Sequence, residues 1–235
     1  MSHLGKKLDE YISKKFHKVK ILRNEKRLGL IGCRNLGAKF ALGEILVFLD
    51  SHCEVTNFWL QPLIQQIITN PKSLAIPQLA YIEDTTFKFY YNTRTNKYGG
   101  GFTWSLTFNS ILLSEQHLEY VNYKTPIMVG GNYAINRTFF FQMGTYDEGM
   151  ENYGGEDIEM SLRIWMCGGK LIMIPCSIIG HVYKSKSLKN EKLYNEMRTR
   201  NLIRTAYIWL DEYNELFKKV SGYSIYNTTK DHHVL

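Results

Sequence analysis

Residues 43–54 read Gly-Glu-Ile-Leu-Val-Phe-Leu-Asp-Ser-His-Cys-Glu, a run of apolar residues leading straight into a carboxylate and an imidazole. The continuous apolar stretch 45–49 predicts a strand buried on both faces, as parallel sheets require. Upstream, residues 19–22 predict a short strand, 24–29 a polar turn, and 30–42 a helix closed by Gly43 as its C-cap. Strand, turn, helix and strand in about 30 residues make a βαβ unit, which implies an α/β fold with a parallel sheet. An amphipathic helix over 4–15 comes before it. Downstream, the pattern predicts a helix at 59–68, a strand at 74–82, and a strand at 105–110 after a glycine-rich aromatic segment. A short strand at 133–135 and a helix at 137–143 follow. The remaining expectations are a helix at 156–166, a strand at 170–174, a long amphipathic helix at 191–218 and a polar tail.

Ligands of open α/β sheets bind beyond the carboxyl ends of the strands. Asp50 and His52 lie there, and two residues apart in an extended segment they point the same way. A carboxylate with an imidazole suits Mn²⁺ or another divalent first-row ion and leaves positions open for diphosphate oxygens. An Asp capping the next turn beside a partly buried His would leave the same sequence trace. A second constellation is Tyr153-Gly154-Gly155-Glu156-Asp157 at a helix start. Its glycines permit close backbone approach, and its acids are favoured by the helix dipole. Glu156 and Asp157 could accept hydrogen bonds from sugar hydroxyls, or be ordinary first-turn acids. His181, in Gly180-His181-Val182, is by itself only a histidine after a strand and a proline.

Composition narrows the classes. Of 235 residues, 44% are hydrophobic and 22% charged, which excludes disorder, collagen and coiled coil as descriptions of the whole. No stretch approaches the roughly 18 apolar residues of a membrane span, and no signal peptide is visible at the N-terminus. The net charge is +7, yet residues 1–40 alone carry eleven Lys/Arg against three acids. Charge is the only signal for a polyanion, so nucleic acid is not an expected partner. The four cysteines show no CxxC spacing, so a zinc site is not expected.

Nine ordered blocks make the chain similar to a known family. They are Arg27-Leu-Gly-Leu-Ile31, residues 43–54 above, Trp59-Leu-Gln-Pro-Leu63, Gly100-Gly-Phe-Thr-Trp104 and Tyr146-Asp-Glu-Gly-Met150. Tyr153–Asp157, residues 161–169, residues 175–182 and Trp209-Leu-Asp-Glu-Tyr213 complete them. Over roughly residues 5–218 the chain resembles the catalytic domain of the polypeptide N-acetylgalactosaminyltransferases, which start mucin-type O-glycosylation. Its pattern is most like the divergent "like protein 5" branch. The resemblance implies an α/β GT-A fold, a Rossmann-like mixed sheet flanked by helices, N-terminally incomplete. It implies a partial catalytic domain over 1–218, a tail over 219–235, and no lectin domain or anchor in this chain.

By resemblance, Asp50, His52 and His181 would bind Mn²⁺ on the UDP diphosphate. Ser51 would contact the nucleotide, and Gly130 and Gly131 would line the sugar pocket. Glu156 and Asp157 would hold the GalNAc, with Tyr153 and Lys184 as further substrate contacts. The implied reaction moves GalNAc from UDP-GalNAc to a Ser/Thr hydroxyl of a peptide, with retention at the anomeric carbon, in the Golgi. Cys167 and Cys176 match family cysteines whose disulfide partners lie outside this segment. The chain departs from the family pattern at Tyr153, usually Trp, at Asp157, usually Asn, and at Lys184, usually Arg. Residues 185–194 replace the family's lid. These departures keep a second reading open, a catalytically inactive member that binds peptides or partner proteins.

Overall fold

The computed structural model describes residues 4–91, 98–112, 122–128, 130–183 and 191–223. Helix α1 (Lys6–Lys15) buries none of its side chains, and α2 (Gly29–Phe40) follows. Then come β1 (Ile45–Phe48), β2 (Cys53–Val55), α3 (Leu60–Thr69) and β3 (Ser73–Glu83). Strands β4 (Phe89–Tyr90), β5 (Tyr98–Phe102), β6 (Phe108–Leu112), β7 (Tyr123–Lys124) and β8 (Tyr133–Asn136) lead to α4 (Arg137–Gln142). Helix α5 (Glu156–Met166), strand β9 (Lys170–Tyr183), α6 (Glu191–Trp209) and α7 (Asn214–Ser221) complete the described elements.

The main sheet runs β1-β8-β3-β9-β2, with β4 on β3 and β7 on β9, while β5 and β6 form a separate hairpin. Among the described residues only β3 and β9 pair in parallel; the other ladders of the sheet are antiparallel. The sheet is thus mixed, as the resemblance implies.

Period-two alternation sorts the sheet's side chains onto two faces. Leu74, Ile76, Ile135, Leu171 and Met173 pack with Ile31 and Ala38 of α2, Phe139 and Phe140 of α4, and Met160 and Ile164 of α5. Their sequence neighbours Ala75, Ala134, Ile172 and Ile174 face the other way, against Leu63 and Ile67 of α3. Burying these apolar faces between helices is the dominant favourable term in holding the sheet.

Several expectations change. Residues 19–22 form no strand: Val19 and Leu22 stay exposed, with cationic neighbours at Lys18, Lys20 and Arg23. The parallel βαβ unit expected there does not exist, and β1 pairs antiparallel with β8 instead. Helix α2 ends earlier than expected, with an extended Ala41 as its C-cap in place of Gly43. The strand expected at 105–110 starts at Phe108, because residues 103–107 form a turn closed by a Thr103–Thr107 hydrogen bond. The expected strand at 170–174 continues to Tyr183, through a register shift opposite Pro77/Gln78 that absorbs the Pro175 region. The long C-terminal helix breaks between Trp209 and Asn214, where Asp211 adopts a positive φ of 43°. All four cysteines are free thiols.

Candidate metal and donor site

The turn after β1 carries the chain from pairing with β8 to pairing with β9. Asp50 and His52 lie in this turn rather than in the extended segment expected of them. The Asp50 backbone N–H donates to Asn132 Oδ1 at 2.9 Å, and Asn132 is fully buried at the start of β8. The long strand β9 brings His181 in from the far end of the chain, between Cys53 of β2 and Tyr81 of β3. His52 is held against the same strand, its carbonyl accepting from the Val182 N–H at 3.0 Å.

Ligand atoms of Asp50, His52 and His181 lie within 4.8 Å of one another, the only such metal-capable group among the described residues. The two imidazole rings are 4.5 Å apart, and His181 Nε2 sits 3.5 Å from Asp50 Oδ2. The hydrogen bond with His181 and the charge of Arg34 hold the Asp50 carboxyl below its ordinary range, against the opposing effect of burial. It is therefore ionised at neutral pH, the form that binds metal. His181 Nδ1 is buried without a hydrogen-bond partner among the described residues. A buried polar atom left in this state is costly unless something else satisfies it. One carboxylate and two imidazoles in this arrangement fit a divalent first-row ion with open coordination positions.

Arg34 ties this triad to its surroundings. Its Nη2 donates to Asp50 Oδ1 at 2.6 Å and its Nη1 to the Tyr146 hydroxyl at 3.0 Å. The Tyr133 hydroxyl also donates to Tyr146, at 2.7 Å, and both rings are fully buried. Gly131 supplies the space, since a Cβ there would overlap the guanidinium. Gly130 takes a left-handed φ of 67°. Gly131 is therefore packed on the guanidinium that bonds Asp50, while Gly130 faces Leu79.

Glu156 and Asp157 open α5, within electrostatic reach of Arg34. Gly154 and Gly155 reach them through positive φ values of 99° and 90°, which glycine adopts without strain. Buried Asn201 of α6 clamps this loop, accepting from the Glu151 N–H and donating to the carbonyls of Glu151 and Gly154. The Gly154 N–H donates to Glu156 Oε2. Burial, and next the neighbouring charge of Asp157, push the Glu156 carboxyl up to about 7. Burial raises Asp157 as well, opposed by hydrogen bonding from the Ile158 N–H and by the charges of Arg198 and Arg34. Arg34 thus acts electrostatically on both acids and on Asp50.

Ser51 is exposed in the metal-site turn. Tyr153 is 38% exposed and lines a separate cavity of about 410 Å³ with Arg27, Gly29, Cys33 and Asn152. The Arg27 guanidinium donates to the Tyr194 hydroxyl at 3.1 Å, and the Tyr194 ring rests 5.7 Å from that of Tyr153. Lys184 lies outside the described residues. Sequence reasoning missed Arg34, Asn132, Tyr146 and Arg27 as site residues. Arg34 carried a usable signal, because it shares a helical face with Ile31 and Ala38, where a solvated cation does not belong.

The family model described as "Glycosyl transferase family 2" matches residues 3–143. The chain belongs to this family. A second model, "N-terminal domain of galactosyltransferase", matches residues 113–187. The resemblance to the polypeptide GalNAc-transferases is borne out. The chain is 43% identical to polypeptide N-acetylgalactosaminyltransferase 3 of Taeniopygia guttata, over 92% of its own length and 36% of that protein's. It is 40% identical to polypeptide N-acetylgalactosaminyltransferase 5 of Caenorhabditis elegans, over 92% of its own length and 36% of the relative's. The chain therefore spans about a third of these relatives. It superposes on the crystal structure of GalNAc-T7 with UDP, GalNAc and Mn²⁺ at a TM-score of 0.85 and 35% identity, covering 93% of this chain and 42% of that one. A mannosyltransferase from Pyrobaculum calidifontis, at a TM-score of 0.55 and 14% identity, covers 88% of this chain and 51% of its own and shares the fold alone.

Proposed function

We propose that this chain is a Mn²⁺-dependent glycosyltransferase domain that takes GalNAc from UDP-GalNAc and places it on Ser/Thr hydroxyls of a peptide, with retention. The convergence of Asp50, His52 and His181 from two distant segments supports this most. GalNAc-T7, on which the chain superposes closely, was crystallised with UDP, GalNAc and Mn²⁺.

A divalent ion at the triad supplies Lewis-acid stabilisation of the charge that grows on a leaving diphosphate. The chain's own residues do the rest. Arg34 and Asn132 fix Asp50, and the Gly154-Gly155 turn, whose missing side chains let α6 pack close through Arg198 and Leu202 rather than opening space for a ligand, sets Glu156 and Asp157 at the start of α5. Glu156 and Asp157 accept hydrogen bonds from sugar hydroxyls, and Glu156, with its pKa near 7, also donates one when protonated. Ser51, Gly130, Gly131, Tyr153 and Lys184 belong to the same proposal as donor contacts. So does action in the Golgi; no described helix is long and apolar enough to cross a membrane.

A second reading, a non-catalytic member that binds peptides or partner proteins, is favoured by one observation. Two buried carboxyls, Glu156 and Asp157, stand side by side, and if they face the sugar they would set two acids against a donor that is itself an anion. Incubation with UDP-GalNAc, a Ser/Thr peptide and Mn²⁺ separates the two. The proposal expects peptide carrying one N-acetylhexosamine, removable by an α-specific glycosidase and absent with EDTA. Unmodified peptide from folded, donor-binding protein would favour the second reading.

A further inference from the structure

We infer that Arg34 is a positioning residue, a latch that holds one oxygen of Asp50 so that the other is presented to a metal ion. The inference rests on reading Asp50, His52 and His181 as metal ligands. Asp50 has two carboxylate oxygens with different surroundings. Oδ1 accepts from Arg34 Nη2 at 2.6 Å, while Oδ2 faces His181 at 3.5 Å. The backbone of the same residue is tied to Asn132. Asp50 is therefore held at its main chain and at one oxygen, and Oδ2 remains on the side of the two imidazoles.

The latch is itself rigidly built. The Arg34 side chain is only 10% exposed, so it is not a solvated cation that happens to reach a carboxylate. Its guanidinium fork is split, one nitrogen on Asp50 and the other on the Tyr146 hydroxyl, and Tyr133 fixes that hydroxyl in turn. The Tyr146 ring lies 5.7 Å from the guanidinium carbon. Gly131 leaves no side chain in the way. The planar guanidinium holds donors on two separate nitrogens in a fixed fork, one for each acceptor, whereas a lysine ammonium gathers its three donors on one rotatable nitrogen.

A bystander cation and a latch predict opposite signs. A positive charge beside a dication repels it, so removing a bystander tightens metal binding. Removing a group that orients a ligand weakens binding, typically 10–100-fold for partners outside the coordination sphere.

The test is Mn²⁺ titration of the purified chain without donor, following the paramagnetic resonance signal of the free ion, for wild type, D50A, R34A, R34K and Y146F. The latch predicts that wild type binds, D50A does not, and R34A and R34K both bind about 10–100-fold more weakly. Y146F, which keeps the ring and removes one anchor of the guanidinium, weakens binding by less. Added methylguanidinium restores affinity to R34A and leaves wild type unchanged. R34A binding as tightly as wild type, or more tightly, overturns the latch. Should R34A fail to fold, unchanged affinity in R34K and Y146F overturns it equally. No Mn²⁺ binding by wild type, or undiminished binding by D50A, overturns the ligand assignment instead and the latch with it.

Discussion

Replacing Glu156 by Gln removes a charge that the fold carries at a cost, and the cost depends on pH. The carboxyl's ordinary value is 4.5, and burial with the Asp157 charge raises it to about 7. A group that holds its proton more tightly folded than unfolded stabilises the native state at low pH, and that advantage drains away as pH rises. The loss begins near pH 4.5 and is complete just above pH 7, the window set by the two values. Each pKa unit corresponds to about 1.4 kcal/mol, so the full penalty is roughly 3 kcal/mol. E156Q keeps an oxygen for the Gly154 N–H and carries no charge. Urea unfolding of wild type and E156Q from pH 4.5 to 8 should therefore show curves that nearly coincide at the acid end. By pH 8 the variant should be more stable by about 3 kcal/mol. D157N in the wild-type background removes the second cause, and should move the Glu156 window to lower pH. A stability difference that stays flat across this range would refute the reasoning.

Three further outcomes test the packing and the site. Ile76, fully buried against α2, α4 and α5, should cost about 2–5 kcal/mol on truncation to Ala, measured by chemical denaturation. The buried pair of Arg163 and Glu159 is joined by two bonds of 2.8 Å, and Glu159 also accepts from Trp209 Nε1. E159A should cost about 3–5 kcal/mol, and an E159L/R163M pair should recover most of it in a double-mutant cycle. G131A places a methyl group where the Arg34 guanidinium lies, so it should lower the melting temperature and weaken Mn²⁺ binding by about 10-fold or more.

The sequence made the site easier to find than the sheet. Glu156–Met166 was legible to the residue, because an acidic first turn after two glycines and a clear apolar stripe agree with one another. The run at 45–49 was rightly a strand, yet its partners were not legible: β1 meets β8, about 90 positions downstream, in an antiparallel ladder. Local pattern gives the period of a strand and says nothing of its neighbour. Residues 19–22 have strand-like composition, but pairing decides whether a strand forms, and no described strand pairs with them. Asp50 and His52 stood out by spacing; His181 joined them only through family resemblance, since one histidine after a strand carries no signal of its own. Arg34 was hidden inside a basic segment whose other cations are mostly solvated.

The most direct test is calorimetric titration of UDP-GalNAc into the folded chain, with Mn²⁺ and then with EDTA, for wild type, D50A and H181A. Binding by wild type that needs Mn²⁺ and disappears in both variants is the predicted result. Binding that survives EDTA, or survives in both variants, would contradict the assignment of Asp50, His52 and His181 as the metal ligands of a donor site.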